Sequence, residues 1–252
     1  RYLGVEDFAL FANGYRELPL AGMIIGAAAG VLLPEFSRMS VEGADGGQFV
    51  RLWQAAVLKS SAIIYPLSVF CCVFAPEIIC LLYGEGYREA AGLFRIVTLV
   101  NLARIMPYAP VLFALGRGNA FARAHLVTAL LIVGLELWCV MAFPSLWAIA
   151  AIATGCTLFC LFLLMTATAR VLGTSLAGLM PWRMLTIVLL VSAAACTAAR
   201  LAVLLTGMTH HLVVVSVGFA VYLSLYLPFA QRAGIRYMEL FGPVLAKLRP
   251  NR

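Results

Sequence analysis

Apolar residues in this chain neither alternate strictly nor keep to one narrow helical stripe. They run almost unbroken for roughly 20 residues at a time, the length an α-helix needs to cross a hydrocarbon core, and polar residues gather between the runs. Seven membrane helices are predicted. The first covers residues 3–33, roughly 46 Å at 1.5 Å per residue, and so must tilt, protrude or kink, with Pro19 as the kink. It opens near Glu6 and Asp7, carries the adjacent charges Arg16 and Glu17, and stops at Pro34-Glu35-Phe36-Ser37-Arg38. A polar connection over 39–54 follows, much of it read as an amphipathic surface helix. Helix two covers 55–82 and is interrupted by Pro66 and Pro76. The turn at 83–87 sets two tyrosines at interfacial depth. Helix three covers 89–115 and contains Arg95, Asn101, Arg104, Pro107 and Pro110. Helices four to seven cover 122–141, 148–171, 182–205 and 212–230, and a basic amphipathic tail closes the chain over 231–252.

Composition settles the class. Hydrophobic residues make up 63% of the 252 residues, charged residues 12%, and the mean hydropathy is +0.99. A soluble domain could not hide that much apolar surface, so the fold class is all-α integral membrane. The net charge of +7 does not imply nucleic-acid binding, because the basic residues flank the apolar spans instead of forming one soluble face. They alternate: Arg38, Arg51 and Lys59, then Arg117 and Arg123, then Arg170 and Arg183, then the tail fall on one side. The intervening turns hold only Arg88. By the positive-inside rule the tail is cytoplasmic and Arg1 is outside. The chain starts Arg1-Tyr2 without Met or a secretory signal pattern, and is read as a piece of a longer protein. The loops are too short for a sizeable soluble domain. The seven cysteines lie in apolar runs and read as small buried hydrophobes.

Charges within a bilayer are costly and usually face a bundle interior or a wet cavity. Arg16, Arg95, Arg104 and Arg200 lie in predicted spans, with Glu17 and Glu136 as the acids. Asn101, Arg104 and Tyr108 fall at i, i+3 and i+7, one face of a continuous helix. A cationic lining of this kind suits phosphate oxygens. The structural alternatives are snorkelling by Arg95, an ion pair between Arg104 and Glu136, and a shallow or structural Arg200. Arg16 and Glu17 point about 100° apart on a helix and are expected to have different partners. Gly22, Gly26 and Gly30 form a doubled small-residue motif whose plain meaning is close helix packing. His125, His210 and His211 sit at membrane ends without metal-ligand spacing, so no metal and no cofactor are expected. No Walker A sequence or nucleophile elbow occurs, and an enzymatic role is not expected.

The segment Glu17-Leu18-Pro19, Gly26, Gly30-Val31-Leu32-Leu33-Pro34, Ser37-Arg38 resembles the eighth transmembrane helix of the multidrug/oligosaccharidyl-lipid/polysaccharide (MOP) exporter superfamily. It is most similar to the lipid II flippases and the O-antigen-type polysaccharide flippases. Ala75-Pro76-Glu77-Ile78-Ile79-Cys80-Leu81-Leu82-Tyr83-Gly84 resembles the outer end of the next helix, and Ala114-Leu115-Gly116-Arg117 a later cytoplasmic turn. The resemblance implies helices eight to fourteen of a fourteen-helix, two-lobe transporter working by alternating access. Residues 1–172 would be the second lobe lacking its first helix, 173–230 two additional helices, and 231–252 a cytoplasmic tail. The partners implied are a lipid-linked saccharide, membrane lipid and an N-terminal lobe of the same protein. The membrane implied is the bacterial inner membrane. One departure is visible: lipid II flippases carry an arginine three residues before the glutamate, where this chain has Gly14. The expected activity is translocation of an isoprenoid diphosphate-linked oligosaccharide or peptidoglycan precursor for cell-envelope polysaccharide synthesis. Arg16, Arg95, Arg104, Asn101 and Tyr108 would line the path, Glu17 or Glu136 would couple an ion, and Pro19, Pro66 and Pro107 would be hinges. The alternatives are a multidrug-type cation-coupled antiporter, disfavoured by the excess of intramembrane arginine, and a membrane-embedded envelope enzyme, disfavoured by the short outer turns.

Overall fold

The computed structural model describes residues 4–232. Seven helical stretches are long and apolar enough to cross a membrane, and no strand occurs among the described residues. The chain is therefore an all-α, multi-pass integral membrane protein.

The first apolar run is not one kinked helix. It forms α1 (Val5–Gly14) and α2 (Pro19–Val41), separated by four non-helical residues. Pro19 is the first residue of α2, where its missing N–H is no loss and its fixed φ suits the helix. The expected stop at Pro34 is also corrected. α2 runs through Pro34 to Val41, because Arg38 bonds Glu35 (2.6 Å) and Glu42 (2.9 Å) along the helix surface. Charges three and four positions apart support a helix here instead of ending it.

The polar stretch read as a surface helix belongs to the next crossing. α3 (Gly46–Val73) is capped by Asp45, whose carboxylate accepts the Gln48 N–H at 2.7 Å. Pro66 lies inside α3 without interrupting it. Its carbonyl accepts the Tyr222 hydroxyl at 3.2 Å. The interruption falls at Phe74, before α4 (Ala75–Tyr83). Pro76 has no N–H to offer the Cys72 carbonyl four residues back. Arg95 fills that place from the next crossing, its Nε donating to Cys72 O at 2.9 Å. Losing the donor should leave the carbonyl unsatisfied at roughly 1–3 kcal/mol. Arg95→Met is thus expected to lower the thermal midpoint of the detergent-solubilised protein, and to do so far less in a Pro76→Ala background. Equal losses in both backgrounds would remove this explanation.

The third crossing is α5 (Ala90–Thr98), α6 (Val100–Ala103) and α7 (Tyr108–Ala114), with residues 104–107 non-helical. Then follow α8 (Gly118–Ala142), α9 (Leu146–Val171), the short α10 (Leu176–Leu179), α11 (Trp182–Leu205) and α12 (His211–Arg232). The basic tail expected over 231–252 lies, from 233 onward, outside the described residues.

α8 pairs with α9, α2 runs along α7, and α11 packs between α3 and α12. Phe70 stacks on Phe74 (ring centroids 4.6 Å apart) and on Tyr222 (5.7 Å), which ties α12 to α3. At one end of the bundle Gln54 donates to the Gly178 carbonyl at 2.7 Å. At the other end Asp7, Glu89, Pro144 and Trp147 surround one recess, and Glu85 meets His211. The small-residue stripe behaves differently from expectation. Gly22, Gly26 and Gly30 are exposed, and a methyl group added to any of them would meet nothing within 4 Å. No described helix packs on that face. The cysteines are buried as expected, apart from the half-buried Cys72.

Candidate functional site

Two backbone breaks are joined by a side-chain pair across the bundle. At the first, the Arg16 N–H turns to the Gly14 carbonyl (2.9 Å) and no longer continues α1. That strands the Ala12 carbonyl, and the Arg16 Nε donates to it at 3.2 Å. The Arg16 side chain thus satisfies a free carbonyl in the last turn of α1, one residue past the C-cap Tyr15. The close fit beside it depends on Gly14, where an added Cβ would lie 2.6 Å from the Ala90 carbonyl oxygen. At the second break, Pro107 disfavours helical backbone at the residue before it. The freed Leu102 carbonyl accepts the Tyr65 hydroxyl at 2.8 Å.

Glu17 and Arg104 connect the breaks, Nη1 to Oε2, at 2.5 Å across 87 positions of sequence. Beside them the Tyr15 hydroxyl meets Thr154 Oγ1 of α9 at 3.0 Å, and the Tyr15 ring stacks on Phe11. Residues 90–103 rise roughly 21 Å at 1.5 Å per residue before the second break, which places both breaks within the depth of a ~30 Å hydrocarbon core. The pair is not sealed in protein: the Arg104 side chain is 31% exposed and that of Glu17 53%.

The sequence-derived residues divide accordingly. The separate partners expected for Arg16 and Glu17 are found. Arg104 does not pair with Glu136; its partner is Glu17. Glu136 is half-buried on α8 and has no ion pair or hydrogen bond among the described residues, though its charge acts on the Tyr15 hydroxyl. The polar stripe on helix three does not exist as one face, since the helix ends at Ala103. Asn101 is buried with its Nδ2 unpartnered, and Tyr108 is buried against Trp53, ring centroids 5.3 Å apart. Arg95 serves the Cys72 carbonyl. Of the three hinge prolines, Pro19 and Pro107 border the breaks and Pro66 does not.

Sequence reasoning passed over Thr154 and Glu77. Nothing distinguishes Thr154 from other helix threonines along the chain. Glu77 carried a readable signal, as an acid within an apolar run facing the lone arginine of another span. Glu77 Oε1 accepts Arg200 Nη2 at 2.7 Å, and the guanidinium lies 5.2 Å from the Phe74 ring centroid. Past them, in the turn after α4, the His211 hydrogen bond holds the Glu85 carboxyl below its usual range.

Residues 1–92, which contain the first break and the Glu77 helix, match the model of a family described as polysaccharide biosynthesis protein. No curated protein and no solved structure matches the chain. The matched segment and the seven apolar helices together support a membrane protein of polysaccharide biosynthesis with a transport-type architecture.

Proposed function

We propose that this chain is one lobe of a flippase that carries a saccharide on an isoprenoid diphosphate across the cytoplasmic membrane by alternating access. The observation that carries the reading is the pair of helix breaks joined by Glu17 and Arg104. Irregular backbone at membrane depth is tolerated where protein buries it or where it lines a wet cavity. Here the pair is part-exposed, so the breaks line a path. Discontinuous helices at mid-membrane are a recurrent way to build substrate sites in transporters. The N-terminal end of α2 adds a positive dipole beside Arg104, and a guanidinium suits the diphosphate oxygens. Glu17 holds Arg104 while the site is empty, and a diphosphate displaces it. Glu136, unpaired in the same region, is the group suited to carry a coupling proton or cation. The exposed glycine face of α2 is where the N-terminal lobe would close the path. On this reading the connections at 42–45 and 172–181 face the cytoplasm, the side that the positive-inside rule favours.

The test is translocation of a lipid-linked oligosaccharide by the full-length protein in proteoliposomes. Arg104→Ala should lower the rate at least about 100-fold, the scale of a lost charge-assisted clamp of roughly 3 kcal/mol. Arg95→Ala should retain most of the rate, because that side chain is committed to the Cys72 carbonyl. Near-normal transport by Arg104→Ala would remove the assignment.

A further inference from the structure

A second constellation lies at the bundle end where the α4 turn meets the start of α12. Cys80 begins the last turn of α4, and its carbonyl accepts the Gly84 N–H. Gly84, at φ +93°, reverses the chain there, a conformation glycine adopts without steric cost. The reversal folds Glu85 back over Cys80, whose Sγ donates to Glu85 Oε2 at 3.6 Å. His211, 126 positions later, brings its Nε2 to the other oxygen of the same carboxylate. One thiol sulfur, one carboxylate oxygen and one imidazole nitrogen thus lie within 4.8 Å of one another.

We infer that Cys80, Glu85 and His211 form a zinc site that clasps the α4 turn to α12. A mixed S/N/O set is the donor chemistry of a borderline-soft ion and not of calcium or magnesium. Three protein ligands with an open fourth position is a regular zinc arrangement, and ligands at ~2.0–2.3 Å from the ion lie within a few ångströms of each other, as these do. The fourth position is available. A cavity of about 540 Å³ adjoins Glu85 and His211, lined also by Arg200, Thr209 and Glu77. Glu77 is 6% exposed, and its second carboxylate oxygen, Oε2, has no hydrogen-bond partner among the described residues. Arg88 approaches Glu85 at 3.4 Å on the exposed side, a surface pair that contributes little. Binding would release the Cys80 thiol proton and require the His211 tautomer that leaves Nε2 free for the ion. Spacing along the sequence gave no hint of the site, because its histidine comes from another crossing.

The test uses the full chain without affinity-tag histidines, stripped with chelator in detergent and titrated with Co²⁺. One equivalent should produce a thiolate-to-cobalt charge-transfer band that Zn²⁺ abolishes. Cys80→Ser should lose the band while keeping the metal-free thermal midpoint and elution profile. His211→Gln should weaken binding about tenfold or more, an effect read on a protein that keeps its thiol. Loss of the band in Cys160→Ser would move the site to the His125–Cys160 contact and overturn the assignment. So would a wild-type chain without the band, or a band that survives Cys80→Ser.

Discussion

Arg200→Met is expected to destabilise the protein by roughly 3–5 kcal/mol, the range for stranding one partner of a buried ion pair. The Glu77 side chain is only 8% exposed, and of its two oxygens just Oε1 is partnered, by Arg200. Removing the guanidinium leaves a carboxylate within the bundle that no other described group neutralises. It also removes the cation from the Phe74 ring, worth about 0.5–2 kcal/mol on its own. The pair joins α4 to α11, so its loss loosens the last two crossings from the others. Replacing both partners, as Glu77→Leu with Arg200→Met, should recover most of the loss, because well-packed apolar groups substitute for a buried pair at small cost. The measurement is the thermal midpoint of the solubilised protein by size-exclusion fluorescence. A double variant as unstable as the single one would show that Arg200 acts through packing and not through Glu77.

The contrast between legible and hidden features follows from the range of the forces. Hydropathy is a local sum, so helix positions were readable: α11 occupies 182–205 as expected, and α9 and α12 differ from expectation by two residues or fewer at each end. Failures occurred where a local signal had a second, satisfied meaning. Pro34-Glu35-Phe36-Ser37-Arg38 looked like a terminus, yet its charges bond along the helix and α2 continues. Pro66 looked like an interruption of its helix and sits in an uninterrupted α3. The true breaks also lie at prolines, but what distinguishes them is the substitute partner for each freed carbonyl. Arg16 serves Ala12 within four residues, whereas Tyr65 reaches Leu102 from another crossing. The candidate site was half-legible for the same reason. Arg104 and Glu17 stood out as charges in apolar runs, but no periodicity relates positions 87 apart. Arg95 was legible as a cation within an apolar span and not as the donor that serves the Cys72 carbonyl opposite Pro76.

Exchanging the charges separates the two roles that Arg104 combines. In Glu17→Arg with Arg104→Glu an ion pair can re-form between the same two breaks, so stability should return to within about 1 kcal/mol of wild type, the scale of an exposed pair. Transport should not return. The position on α6's end would now carry a carboxylate, which repels a diphosphate. An arginine at position 17 starts from a different backbone, directly before Leu18 and Pro19, with no reason to present its fork to the same oxygens. The expected outcome is a well-folded double variant whose translocation of a lipid-linked saccharide stays about 100-fold or more below wild type, matching the scale of Arg104→Ala. A purely structural bridge gives the opposite result, with stability and transport restored together. Glu17→Gln supplies the remaining corner of the cycle. It keeps Arg104 and frees it, so affinity for the diphosphate should rise while release slows. Substrate affinity and turnover measured on the same reconstituted samples would then move in opposite directions, a pattern that a lost structural contact does not produce.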